Sequence, residues 1–154
     1  MKKEIAFELG GIRFKGESLE LEPSLKTFGI LAPVIDQILQ KVDVTKFGGE
    51  LSESDKLGLF RDLVSGALCG MTSLNQLAEP FYSVYKVNRA DFSEFEDAFV
   101  PLKPMKDTLF RGAPVLHVGW LVAALHAEYG DFLDETSGAP VLTSLAKLFG
   151  WQKE

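Results

Sequence analysis

Apolar and polar residues alternate from Ile5 to Phe14, with Ile5, Phe7 and Leu9 before Gly10-Gly11 and with Ile12 and Phe14 after it. Alternation of period two marks a half-buried strand, and two glycines supply the positive φ angles that a two-residue hairpin turn requires. A turn at Gly10-Gly11 sets Leu9 opposite Ile12 and Phe7 opposite Phe14. The apolar side chains then share one face, and Glu8 meets Arg13 on the other, a cross-strand pair worth about 0.2–1 kcal/mol. Leu19 and Leu21 alternate with Glu20 and Glu22, so the second strand continues past Gly16 or bends there. Two strands alone are marginally stable in water, so the apolar face must pack on helices or join a partner's sheet.

Beyond Glu22 the period changes. Pro23-Ser24 opens a helix with Ser24 as candidate cap, and Leu25, Phe28, Leu31, Ile35, Ile38, Leu39 and Val42 follow at helical spacing. Pro33 is expected to kink it or split it. Val44 to Leu51 reads as a loop. Ser52-Glu53-Ser54-Asp55 carries the pattern of a capping box, and Leu57, Phe60, Val64, Ala67, Leu68 and Met71 form the stripe of the next helix, ended by Gly70. Leu74, Leu77, Ala78, Phe81 and Val84 continue at helical spacing around Pro80. A two-faced helix is expected over Asp91 to Val100, with Phe92, Phe95 and Phe99 on one side and Asp91, Glu94, Glu96 and Asp97 along the same stretch. Pro101-Leu102-Lys103-Pro104 is read as an extended connection. The longest helix is expected from about Pro114 to Tyr129, apolar nearly all round through Trp120 and hence central. A last short helix, Val141 to Phe149, lies between Pro140 and Gly150.

These elements predict a mainly α, α+β fold: an N-terminal β-hairpin followed by a compact bundle of about five to six helices. One domain over 1–154 is expected, with 1–22 as the hairpin and 23–154 as the helical body. A chain of 154 residues is long enough to bury roughly 70% of its unfolded surface without disulfides or metals. The net charge of −6, from 16 Lys plus Arg against 22 Asp plus Glu, repels a phosphate backbone, and no basic stripe interleaved with aromatics offsets it. Nucleic acid is therefore not an expected partner. Cys69 falls within the stripe Leu63, Val64, Ala67, Leu68, Met71 and reads as a small buried hydrophobe. Met1-Lys2-Lys3-Glu4 leads into an alternating strand, which is not the pattern of a signal peptide. The apolar run Val115 to Leu125 is broken by His117 and is shorter than the ~18 residues a membrane span needs. A soluble, cytoplasmic protein is expected.

Candidate chemistry is sparse. His117 and His126 are nine apart, which is not the i, i+4 spacing that sets two imidazoles on one helix face for zinc. Within the apolar helix, His117 reads as a hydrogen-bonded core or boundary residue. His126, Glu128, Asp131, Asp134 and Glu135 form an acidic cluster with one imidazole, without the alternating oxygen ligands of an EF-hand. Carboxylates at a helix C-terminus oppose the macrodipole, so either the helix stops at Gly130 or the acids serve a basic partner. A solvated surface is the plain alternative, and a small metal-dependent enzyme using His126, Glu128 and Asp131 is a third. No phosphate-binding glycine loop and no Gly-x-Ser-x-Gly elbow occurs. No catalytic residue, metal ligand or cofactor is therefore assigned. Phe92, Phe95 and Phe99, and the tail with Trp151, each fit either an ordinary core face or a partner contact; they are the candidate partner-binding residues because large aromatics are enriched where proteins dock.

Two stretches together carry a resemblance. Ala6-Phe7-Glu8-Leu9-Gly10-Gly11-Ile12-Arg13-Phe14 before a helical body, and Leu109-Phe110-Arg111-Gly112 with Trp120 and then Glu128-Tyr129-Gly130-Asp131-Phe132, resemble the tail assembly chaperones encoded by bacteriophages. The resemblance implies a mostly helical, non-enzymatic protein of the host cell cytoplasm. It also implies self-association and binding of the tape-measure protein during tail morphogenesis, with no catalytic residues to carry over. A different virion or host-directed adaptor is the competing expectation.

Overall fold

The computed structural model describes residues 4–41, 71–88, 99–137 and 152–153; the side chains of 34–41, 71–74, 114–115, 131–137 and 152–153 lie outside that description. The hairpin forms as its pattern requires. Strands β1 (Glu4–Leu9) and β2 (Ile12–Glu17) pair antiparallel with Leu9 facing Ile12, Phe7 facing Phe14 and Glu8 facing Arg13. Gly10 and Gly11 hold φ of 55° and 83°, angles that cost a residue with a Cβ about 1 kcal/mol or more.

The predicted bundle of five to six helices is overturned. The described residues form a five-stranded antiparallel sheet and four helices. The sheet adds β3 (Tyr85–Asn88), β4 (Val100–Pro101) and β5 (Gln152–Lys153) to the hairpin in the order β4-β3-β2-β1-β5, so the hairpin lies inside the sheet. Pro101 sits in the edge strand β4, where the missing N–H removes no interior ladder bond. Register places Phe7, Phe14, Val87 and Val100 in one row. Phe7, Phe14 and Val87 are buried in a core shared with Leu77, Phe81, Leu102, Trp120 and Leu125. The apolar face of the hairpin thus packs on helices of its own chain.

The helices also depart from their expected bounds. Helix α1 (Leu21–Lys41) begins at Leu21 and runs through Pro33 as one element. Leu21 is therefore helical and not part of an extended second strand, and Ser24 lies within the first turn. Helix α2 (Met71–Tyr82) buries Leu77, Ala78 and Phe81 and includes Pro80. Helix α3 (Leu102–Phe110) replaces the expected extended connection. Pro104 occupies its first turn, where the absent N–H would have had no intrahelical partner. Helix α4 (Pro114–Ser137) is the longest among the described residues and central as expected, but it continues past Gly130. Trp120 on it is fully buried. The expected helices over 52–70, Asp91 to Val100 and Val141 to Phe149, together with Cys69, lie outside the described residues, except for Phe99 and Val100.

Candidate functional site

Of the expected partner residues, Phe92, Phe95 and Trp151 lie outside the described residues. Phe99 precedes β4 and is half-buried. Its ring takes the Lys15 ammonium at 4.5 Å and the Arg13 guanidinium carbon at 5.5 Å from the centroid. Such contacts are worth about 0.5–1 kcal/mol at exposed sites. Lys15 and Arg13 alternate with the buried Phe14, so Phe99 covers the polar face of the protein's own sheet.

The acidic cluster also turns inward in part. Glu128 accepts a hydrogen bond from the backbone N–H of Leu19 at 3.3 Å on Oε2 and another from the Ser24 hydroxyl at 3.0 Å on Oε1. Because α4 runs on to Ser137, Glu128 is not in its last turn and meets no C-terminal dipole there; its carboxylate lies instead at the N-terminus of α1, where it is stabilising. Tyr129 donates its phenol to the Ser24 carbonyl at 2.7 Å. Burial raises the Tyr129 pKa against the opposing effect of the Ser24 and Thr27 hydroxyls, which keeps it a donor at neutral pH. His126 lies against Gly130, where an added Cβ would come within 2.9 Å of the imidazole Cδ2. Asp131 and Asp134 follow on α4, with side chains outside the described residues. Among the described residues no group of three or more His, Cys, Asp or Glu is placed to hold a metal ion. Glu128→Gln keeps one acceptor and removes the charge; it is expected to cost about 1 kcal/mol in urea denaturation, the worth of one hydrogen bond.

A constellation that sequence reading did not assemble lies between α2, α3 and α4. The Tyr82 hydroxyl and His117 Nε2 are 2.6 Å apart. Burial, and then Glu79 and Asp107, push the Tyr82 pKa up to about 12. Burial and the Lys106 ammonium hold His117 below its usual value. Both groups are therefore neutral at pH 7, and the phenol, the better proton donor, donates to Nε2. That bond assigns the imidazole proton to Nδ1. Tyr82 stacks on Trp120 at 5.1 Å and 6°, while Phe110 stacks on His117 at 4.5 Å and 16°. Lys106 stands 5.1 Å over the Tyr82 ring. Tyr82, Lys106, Phe110 and His117 border a pocket of about 340 Å³ whose rim carries Asn75, Asp107 and Arg111.

The pH dependence follows with a definite sign. His117 binds its proton less readily folded than unfolded, so the unfolded chain takes up more protons below the unfolded value of about 6.5. The stability it contributes is complete above about pH 6.5 and is lost as pH falls from there through the folded pKa. In NMR titration its ring should therefore show a midpoint below about 6.5, and Tyr82→Phe should raise that midpoint by removing the donor that favours the neutral ring. A wild-type midpoint at or above the unfolded value contradicts the assignment.

A surface feature stands apart from this pocket. Leu21 and Leu25 are the large apolar side chains exposed to solvent among the described residues, at 74% and 63%. They are one turn apart on α1, and Gly29 and Pro33, both exposed, continue the same i, i+4 row. Leu25 was expected in the core stripe with Phe28 and Leu31. Helix α1 instead turns Leu31 and Thr27 inward, and its first turn is fixed by Glu128 and Tyr129. Among the described residues no helix is long and apolar enough to cross a membrane. Comparison with family models, curated proteins and solved structures gave no match to this chain.

Proposed function

We propose that this protein is a non-enzymatic phage tail assembly chaperone of the host cytoplasm, which self-associates and holds an apolar segment of the tape-measure protein during tail morphogenesis. The observation that carries the binding role is the exposed row Leu21, Leu25, Gly29 and Pro33. Isolated apolar residues on a surface need no explanation, but this row is continuous along a helix whose start is pinned by Glu128 and Tyr129. Ordering a docking surface in advance lowers the entropy lost on binding. An amphipathic helical segment reads such a ridge through its own i, i+3, i+4 positions. Phe99 is the weaker candidate, because its ring is already engaged by Lys15 and Arg13.

Affinity purification of the tagged chain from its native cells, followed by co-expression with the recovered partner, tests this reading. A very long helical tail protein should co-purify, and its apolar segment should remain soluble only when co-expressed with the wild-type chain. The double variant Leu21→Asp, Leu25→Asp should fold with unchanged Tm and fail to keep that segment soluble. Recovery of a metabolic enzyme, or undiminished protection by the double variant, overturns the proposal.

A further inference from the structure

We infer that the exposed face of α1 pairs with the same face of a second copy of this chain, the two helices running antiparallel about a two-fold axis level with Ser24. This gives the self-association of the chaperone reading a place, and it rests on that reading only for the partner that displaces the copy. Leu21 and Leu25 stand at 74% and 63% exposure, and nothing lies within 4 Å of a Cβ built at Gly29, the next position of the row. Glu22 and Lys26 are exposed as well. Each follows a leucine of the row by one residue, about 100° round the helix, so both border the row on one flank. They are i, i+4 neighbours, yet among the described residues neither has an ion-pair partner.

Charge selects the occupant and its direction. In an antiparallel pair the same flank of each helix faces its counterpart, so a flank that carries an acid and a base one turn apart is complementary to itself. With the axis level with Ser24, Glu22 of each copy meets Lys26 of the other, and the symmetry makes that contact twice. The same register seats the apolar row. Leu25 falls midway between Leu21 and Leu25 of the second copy, about 3 Å along the axis from each. Leu21 falls between Leu25 and Gly29 of that copy, over the open space where the glycine has no side chain. A parallel pair achieves neither, because it turns the flank of Glu22 and Lys26 against Ser24 and Phe28, which carry no charge. A contact this small belongs with transient interfaces, so the pair has a dissociation constant of about 0.1–1 mM and the chain is monomeric at the micromolar concentration of a melting experiment. An apolar helical segment of a partner covers the same leucines, so the copy leaves when that segment binds.

Sedimentation equilibrium of the full chain at low salt, up to about 1 mM, tests the pairing through charge exchange at exposed positions that leave the core intact. Wild type should show a reversible monomer–dimer equilibrium, and Leu25→Asp should abolish it. Glu22→Lys alone sets like charges against Lys26 of the copy, and Lys26→Glu alone does the same against Glu22; each should weaken self-pairing at least about fivefold. Mixed in equal amounts, these two single variants should form a mixed dimer tighter than either forms with itself, and salt should erase the difference. One chain carrying both exchanges should pair as wild type does. The inference is overturned by a wild type that stays monomeric at about 1 mM, by single variants that pair as wild type does, by a mixture with no preference for the mixed dimer, or by an undiminished dimer in Leu25→Asp. Its failure is distinct from that of the chaperone reading. A chain that stays monomeric yet keeps a tail segment soluble sinks the pairing alone, whereas a dimer that obeys the charge exchange but protects no tail segment upholds the pairing and sinks the chaperone.

Discussion

Replacing Trp120 by alanine is expected to destabilise the protein by about 3–5 kcal/mol, the cost of emptying a buried tryptophan site. Trp120 is fully buried on the central helix α4. Its indole meets Tyr82 face to face at 5.1 Å, Tyr85 edge-on at 5.8 Å and Phe110 at 5.5 Å, so it joins α2, β3, α3 and α4 at one point. These neighbours are held from several sides and cannot close over the void. Urea denaturation measures the loss directly, and thermal melting should show a fall in Tm of roughly 10 °C. Trp120→Phe should lose much less, because a ring still separates Tyr82 from Tyr85. A loss below about 1 kcal/mol for the alanine variant, the scale of a surface substitution, would place this helix at the periphery. The same variant should disturb the Tyr82–His117 pair, whose rings lie 5.1 and 6.2 Å from the indole.

The centrality of Trp120 was legible because an apolar run long enough to exceed any strand can only be a buried helix. The hairpin was legible because alternation, turn glycines and the Glu8–Arg13 pair all demand one register. The remaining strands were not. Tyr85–Asn88 has four residues and the edge strands two each, too few for a period to emerge. Their pairings, Phe14 with Val87, Lys86 with Pro101 and Glu8 with Gln152, are set by tertiary contact between segments far apart in sequence. Glu128 was misread for a related reason. A carboxylate read as near the end of its helix looked like a helix stop or a partner site, yet α4 runs on to Ser137 and Glu128 answers the N-terminus of α1, 104 residues away at Ser24. Likewise Tyr82 and His117 are 35 residues apart. His117 could be read as a hydrogen-bonded boundary residue, but no local signal names its partner.

Gly16→Ala is the other substitution expected to cost heavily, about 2–3 kcal/mol, the upper part of the range for overpacking a filled site. Gly16 lies directly opposite Tyr85 in the β2–β3 ladder. A Cβ built there falls 2.6 Å from Cε1, 2.7 Å from Cδ1 and 2.8 Å from Cζ of the Tyr85 ring. An aromatic side chain lying over a cross-strand glycine recovers the burial that the glycine cannot supply. The ring has nowhere to retreat, since Phe7, Phe81 and Trp120 surround it at 5.8, 6.4 and 5.8 Å. Gly10→Ala provides the contrast: nothing lies within 4 Å of its Cβ, and the penalty there comes from a φ of +55°. The two glycines can therefore be told apart by a double-mutant cycle with Tyr85→Leu. Tyr85→Leu should offset much of the cost of Gly16→Ala, whereas Tyr85→Phe, which keeps all three clashing carbons, should not, and neither should relieve Gly10→Ala. Additive losses at Gly16 and Tyr85 would mean that the strands separate slightly to admit the methyl group, and that the ladder between β2 and β3 is softer than its buried ring requires.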